Sequence, residues 1–158
     1  MNKLYKKILI ATDGSEHTEK AITHAIKLAK LTGAGLHAVY VISIVSPHAT
    51  LEIKSDSDTG SYRTIDASIE GLKKILRHEG DKAIKYIEEQ AKTEGVDVTK
   101  WILEGQPAKE ILKLAEEESV DIIVMGTLGR SGIEKFLLGS VADKVVRGSR
   151  IPVLVVRK

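Results

Sequence analysis

The sequence predicts an α/β fold: a doubly wound, open, five-stranded parallel sheet of order 3-2-1-4-5, with helices on both faces, in one domain spanning 1–158. Three observations carry this. Short apolar runs without polar alternation, such as Ile8-Leu9-Ile10-Ala11 and Ile122-Ile123-Val124-Met125, suit strands covered on both faces. Segments of helical period separate these runs all along the chain, the pattern of βαβ units. The length of 158 residues fits one domain, and right-handed crossovers then place helices on both faces of the sheet.

The first strand ends at Thr12-Asp13-Gly14-Ser15, where Ser15 is placed to cap a helix. Thr18, Ile22, Ala25, Ile26 and Ala29 follow at helical spacing, and Thr32-Gly33-Ala34-Gly35 ends that helix. Residues 36–44 form the second strand. Residues 46–64 turn polar and read as a variable loop or ordered insertion. A long helix is predicted over 65–93, with Gly71 and Gly80 as places for a kink or break. Residues 96–103 read as the third strand, and Pro107 then opens a helix at a first-turn position, where its missing N–H does no harm. The fourth strand covers 121–125. Gly139-Ser140 starts a last helix with Val141, Ala142, Val145 and Val146 inward, and 152–157 form the fifth strand.

Composition closes off several function classes. Lys and Arg number 24 against 22 Asp and Glu, and a net charge of +2 gives no bulk reason to expect a nucleic-acid or membrane surface. The absence of cysteine excludes a disulfide framework, a Cys-ligated zinc site and a Cys nucleophile. The apolar runs fall far short of the ~20 residues a bilayer needs. The apolar stretch after the lysines of 1–7 stops at Thr12-Asp13, too soon for a signal segment, so a cytoplasmic protein is expected. His17 and His24 are seven residues apart and His37, His48 and His78 are scattered, so surface histidines rather than a metal site are expected. Trp101 reads as a strand packing residue, and Glu116-Glu117-Glu118 as a solvated helix end. No Gly-x-Ser-x-Gly elbow occurs.

In an open parallel sheet, ligands bind beyond the carboxyl ends of the strands, where the strand order reverses. The strongest signal lies after the fourth strand: Gly126, Gly129 and Gly132, then Gly139-Ser140 at a helix start. Glycines allow close backbone approach, and a helix N-terminus offers free N–H groups and a positive dipole end to phosphate. Arg130 adds a fixed positive charge. The same glycines also suit ordinary turns, and Ser140 also suits a plain cap. Gly-Lys-Ser/Thr is missing, as is Gly-x-Gly-x-x-Gly after the first strand, so neither the P-loop nor the dinucleotide fingerprint is present.

Four features together resemble the universal stress protein family in its ATP-binding branch. They are Lys7-Ile8-Leu9-Ile10-Ala11-Thr12-Asp13-Gly14-Ser15, the segment from Val120 to Gly126, the spacing Gly126-x-x-Gly129, nine residues, Gly139-Ser140, and the ending Pro152-Val153-Leu154-Val155-Val156. The resemblance implies an ATP site, with Mg²⁺ or Mn²⁺ accompanying the nucleotide. Ala11 and Thr12 would line the base pocket, Asp13 would face ribose or a metal-bound phosphate, and Val41 would meet the adenine edge through its backbone. Met125 and Gly126 would floor the pocket, while Gly129, Arg130, Gly139, Ser140 and Val141 would hold ribose and phosphates. Asp13 equally suits a turn residue that caps the first helix. The family resembles an ATP pyrophosphatase superfamily, but Thr12-Asp13-Gly14-Ser15-Glu16-His17 departs from the Ser-Gly-Gly-x-Asp-Ser loop of those enzymes, which argues against adenylate transfer.

For hydrolysis, Arg130 and Lys135 supply charge, but no water-orienting residue stands out and Asp13 is the candidate carboxylate. The first reading is therefore a nucleotide-dependent regulatory switch with slow or partner-dependent hydrolysis. A slow Mg-dependent ATPase is the second, and a structural or chaperone-like dimer with a vestigial pocket the third. Val153–Val156 is apolar on both sides of the pleat and would be an edge strand, so pairing with a second copy would cover it. The resemblance implies the same homodimer; protection by Arg157-Lys158 and a local loop is the alternative.

Overall fold

The computed structural model describes residues 2–44, 61–128 and 138–158, the side chains of 61–68 excepted. The sheet has five parallel strands in the order β3-β2-β1-β4-β5. These are β1 (Lys7–Thr12), β2 (Gly35–Ile42), β3 (Val98–Glu104), β4 (Ile122–Gly126) and β5 (Val153–Val156). The helices are α1 (Glu19–Thr32), α2 (Ser61–Thr93), α3 (Pro107–Glu117) and α4 (Ser140–Gly148). The predicted architecture and strand order are those observed.

β1 is central, pairing Ile8 with Leu36 of β2 on one side and with Ile122 of β4 on the other. Its side chains alternate between two cores. Ile8 and Ile10 meet α1 and α2, whereas Leu9 and Ala11 meet α3 and α4. Both faces are therefore buried, which is why the strand reads as an unbroken apolar run. α1 presents Ala21, Ile22, Ala25, Ile26 and Ala29 to the sheet, a stripe at helical spacing. At the opposite end of the sheet, the Asp121 carboxylate accepts backbone N–H bonds from Lys6 at 2.7 Å and Lys7 at 2.8 Å, fastening the start of β1.

Five local expectations change, one of them on α4, where Val146, expected inward, is 41% exposed because the helix turns only Ala142 and Val145 fully into the core. α2 starts at Ser61, so 61–64 are helical rather than loop; the expected loop over 46–60 lies outside the described residues. Intrinsic helix preferences differ by well under ~1 kcal/mol for such residues, so composition cannot mark that boundary. α2 carries no break at Gly71 or Gly80. Gly80 is buried against the Tyr40 ring, where an added Cβ would lie 2.8 Å from Tyr40 Cδ1, so its missing side chain lets helix and strand approach. Ser15 precedes a short 3-10 turn, Glu16–Thr18, rather than α1, and its hydroxyl makes no cap bond. His37 is buried rather than superficial: the Trp101 indole donates to its Nδ1 at 3.1 Å, and the two rings are nearly parallel. Trp101 thus packs within the strands as expected. His24 and His78 are exposed, and His48 lies outside the described residues.

Candidate functional site

A cavity of about 300 Å³ opens at the carboxyl ends of β1, β2 and β4. Each of these strands runs out of hydrogen-bonded neighbours at this edge, and the chain must turn away, leaving backbone groups and short side chains around a common space. The floor is apolar: Ala11 from β1, Val39 from β2, Met125 from β4 and Ile111 from α3. The rim is polar, with Thr12, Asp13, Ser43, Thr127 and Ser140. An apolar floor with few polar groups at the edge is the usual make-up of a small-molecule site, and the volume lies at the lower end of the ~300–1,000 Å³ range.

The exit of β1 is held by its own side chains. Asp13 Oδ1 accepts the Ser15 N–H at 2.9 Å, and Thr12 Oγ1 accepts the Gly14 N–H at 3.1 Å. Gly14 sits at φ +78, a left-handed conformation that favours glycine. Thr18 Oγ1 spends its single proton on Ser15 O at 2.8 Å. The 3.2 Å contact between the two hydroxyls must therefore run from Thr12 as donor to Thr18 as acceptor. Asp13 accordingly serves the turn while also lining the cavity.

α4 supplies the opposite character. Gly139 is its N-cap and has no side chain to bond the first-turn amides. The Gly139 N–H donates to Thr127 O at 2.6 Å, which ties the helix start to the end of β4. The next amides, of Ser140, Val141 and Ala142, belong to residues lining the cavity, and a first helical turn leaves such N–H groups without intrahelical partners. Their direction and the helix dipole suit an anion.

Gly126 has a structural reason of its own. An added Cβ would stand 3.1 Å from the backbone O of His17 and 3.7 Å from that of Leu128. The 3-10 turn after β1 lies that close to the end of β4, so glycine relieves a tight backbone approach there, whether or not a ligand is present. Among the described residues no group of three His, Asp or Glu side chains forms a metal site.

The family profile of the universal stress proteins matches residues 4–157. The chain belongs to the universal stress protein family. It is 43% identical over 155 residues to universal stress protein MJ0531 of Methanocaldococcus jannaschii, covering 98% of this chain and 84% of that one. It is similar to the solved structure of MJ0577 from the same organism, with a TM-score of 0.79, 32% identity, and 98% and 97% of the two chains covered. It is also similar to a universal stress protein solved in complex with cAMP, at a TM-score of 0.67, 25% identity and 97% of each chain covered.

Of the site residues that this family resemblance implies, Ala11, Thr12, Asp13, Val41, Met125, Gly126, Gly139, Ser140 and Val141 all line the one cavity. Gly129 and Arg130, with Lys135, lie outside the described residues. Sequence reasoning missed Leu76, Pro107 and Ile111, which also line it. Leu76 and Ile111 repeat at helical spacing like any core residue, and Pro107 sits where many helices start with proline, so no local signal set them apart.

Proposed function

We propose that this universal stress protein binds an adenine nucleotide, ATP with Mg²⁺ or Mn²⁺, and acts as a nucleotide-dependent regulatory switch in a stress response. The observation that carries the reading is the pairing, in one cavity, of an apolar floor with the uncapped start of α4. A base fits the floor made by Ala11, Val39, Met125 and Ile111, while phosphates suit the amides of Ser140 and Val141. Asp13 at the rim is placed for ribose hydroxyls or a metal ion riding on the phosphates. The cAMP complex of a family member supports a nucleotide in this class of fold.

Hydrolysis, where it occurs, is slow or depends on a partner. Asp13 is the one carboxylate among the described residues lining the cavity, and one of its oxygens already holds the Ser15 amide, which leaves it poorly placed to orient a water. A cytoplasmic location belongs to the same reading. So does a homodimer through β5: the strand lies at the sheet edge, and its Leu154 is 37% exposed. Leu154→Lys should then shift the sedimenting species from dimer to monomer, and a wild-type monomer would contradict the dimer.

Calorimetry of Mg-ATP binding to nucleotide-stripped protein tests the site, with Ser140→Asp as the comparison. Ser140 is exposed at the first turn of α4, where an acidic side chain favours the helix, so the variant folds. A carboxylate a few ångströms from phosphate costs ~1 kcal/mol per charge pair even in water, and more in a cleft. ATP affinity should fall by tenfold or more, as estimated from that cost, while adenosine affinity holds. Equal ATP binding by the two proteins would place the phosphates elsewhere.

A further inference from the structure

Leu76 reaches the cavity from α2, in a stretch with little burial among the described residues. Between 69 and 79 no residue of α2 is buried; Leu72, Lys73 and Leu76 are half-buried and the others exposed, Ile75 at 61%. Burial begins at Gly80. Besides the packing of Leu76 on the core, the polar attachment of this stretch to the sheet runs, among the described residues, through a single carboxylate. Glu104, the last residue of β3, accepts a hydrogen bond from Arg77 Nη2 at 3.2 Å, and Lys73 Nζ stands 3.6 Å from its other oxygen. Lys73 and Arg77 are four residues apart on the helix and bracket Leu76 in sequence, so both cations grip the turn that carries it.

Glu104 is tied to the other side of the cavity as well. Gly105 follows it at φ +146, a conformation that favours glycine, and donates its N–H to Ile42 O at 3.0 Å. Two residues further on, Pro107 opens α3 and lines the same cavity as Leu76. The carboxylate thus sits where the chain joins two walls of the pocket, one from α2 and one from α3.

We propose that Glu104 is a positioning residue for the nucleotide site: its ion pairs with Lys73 and Arg77 hold Leu76 in the cavity wall, so that a salt-sensitive clamp outside the pocket sets affinity inside it. The inference rests on the nucleotide reading above. The three side chains are 31–56% exposed, so solvent ions reach them and the pairs add little to global stability. Their effect is local, on a helical stretch in which none of residues 69–79 is fully buried. None of the three lines the pocket itself, so the cavity's own polar groups are unchanged when the clamp is opened.

The test is Mg-ATP calorimetry on the full chain for wild type, Glu104→Gln, Leu76→Ala and the double variant, at low and high salt. Taking the ratio of affinities at each salt concentration cancels the salt dependence of the phosphates themselves. Glu104→Gln should weaken binding about threefold at low salt, as two exposed ion pairs allow, and the ratio should approach one at high salt as screening tightens. Leu76→Ala should weaken binding about tenfold through lost apolar contact. In that background, Glu104→Gln should cost nothing further. Thermal midpoints of Glu104→Gln and wild type should agree within about 2 °C. A Glu104→Gln loss that ignores salt, or that persists in full in the Leu76→Ala background, overturns the clamp while leaving the nucleotide site intact. No ATP binding by the wild type overturns the nucleotide reading and the clamp with it.

Discussion

Gly71 and Gly80 lie in the same helix, and the same substitution should have opposite effects at the two positions. An alanine Cβ at Gly80 would stand 2.8, 3.2 and 3.3 Å from Cδ1, Cε1 and Cγ of Tyr40. Carbon atoms prefer ~3.5–4.0 Å, so helix and ring must part by about half an ångström or more. Tyr40 is 3% exposed and is held within β2, so although its side chain borders the cavity it cannot move clear of α2 without repacking. Overpacking of this kind costs ~1–3 kcal/mol, against a gain of ~1 kcal/mol from replacing glycine by alanine within a helix. Gly80→Ala should therefore destabilise by about 1 kcal/mol, lowering the melting midpoint by about 2–4 °C. At Gly71 nothing lies within 4 Å of the added atom, so Gly71→Ala should stabilise by up to ~1 kcal/mol. Urea unfolding of both variants measures the pair. Because the helix preference is common to them, the difference isolates the contact with Tyr40. Equal stabilisation by both substitutions would refute the close approach of α2 to β2, and with it the placement of the α2 wall of the cavity.

Two further predictions concern pH. Hydrogen bonds from the amides of Lys7 and Lys6 hold the Asp121 carboxyl below its ordinary range, so its stabilisation is complete above the unfolded value of ~3.9 and is lost as pH falls through the lower folded value. Asp121→Asn should cost about 1 kcal/mol at neutral pH, with the gap to wild type closing below about pH 4 in denaturant titrations; a gap that stays constant to pH 2 would contradict this. Burial first, then the positive charge of Lys7, pushes His37 below its usual 6.5, so the folded state resists a proton that the unfolded chain accepts, and stability declines as pH drops below about 6.5. Trp101 is the only tryptophan and donates to His37 Nδ1, so its fluorescence reports that protonation; the change should come below pH 6.5 and vanish in His37→Gln, and a midpoint at or above 6.5 would contradict the burial.

The sheet was legible in the sequence because burial on both faces leaves a direct mark. Ile8 to Ala11 and Ile122 to Met125 are apolar without alternation since α1 with α2 cover one side and α3 with α4 the other. Nine of the residues that the family resemblance implies line the cavity, where those runs stop: at the β1 exit, in β2, at the end of β4 and at the glycine-led start of α4. What escaped depends on pairs far apart in the chain. Gly80 looks like a helix breaker until Tyr40, forty positions earlier, is set against it. His37 looks like a surface histidine until Trp101 brings its N–H from 64 residues away. Gly126 looks like a residue kept for a ligand until the carbonyl of His17 is found beside it. Leu76 looks like any member of an apolar stripe, because its place in the cavity follows from where α2 docks.

Amide NMR of the labelled protein titrated with Mg-ATP tests the central claim most directly. Binding at the carboxyl ends of the strands predicts the largest shifts at Ala11–Asp13, Val41, Gly126 and Ser140–Val141, with the amino ends of the strands, at Lys7, Gly35 and Asp121, unmoved. Shifts concentrated at those amino ends, or no shifts at saturating nucleotide, would contradict it.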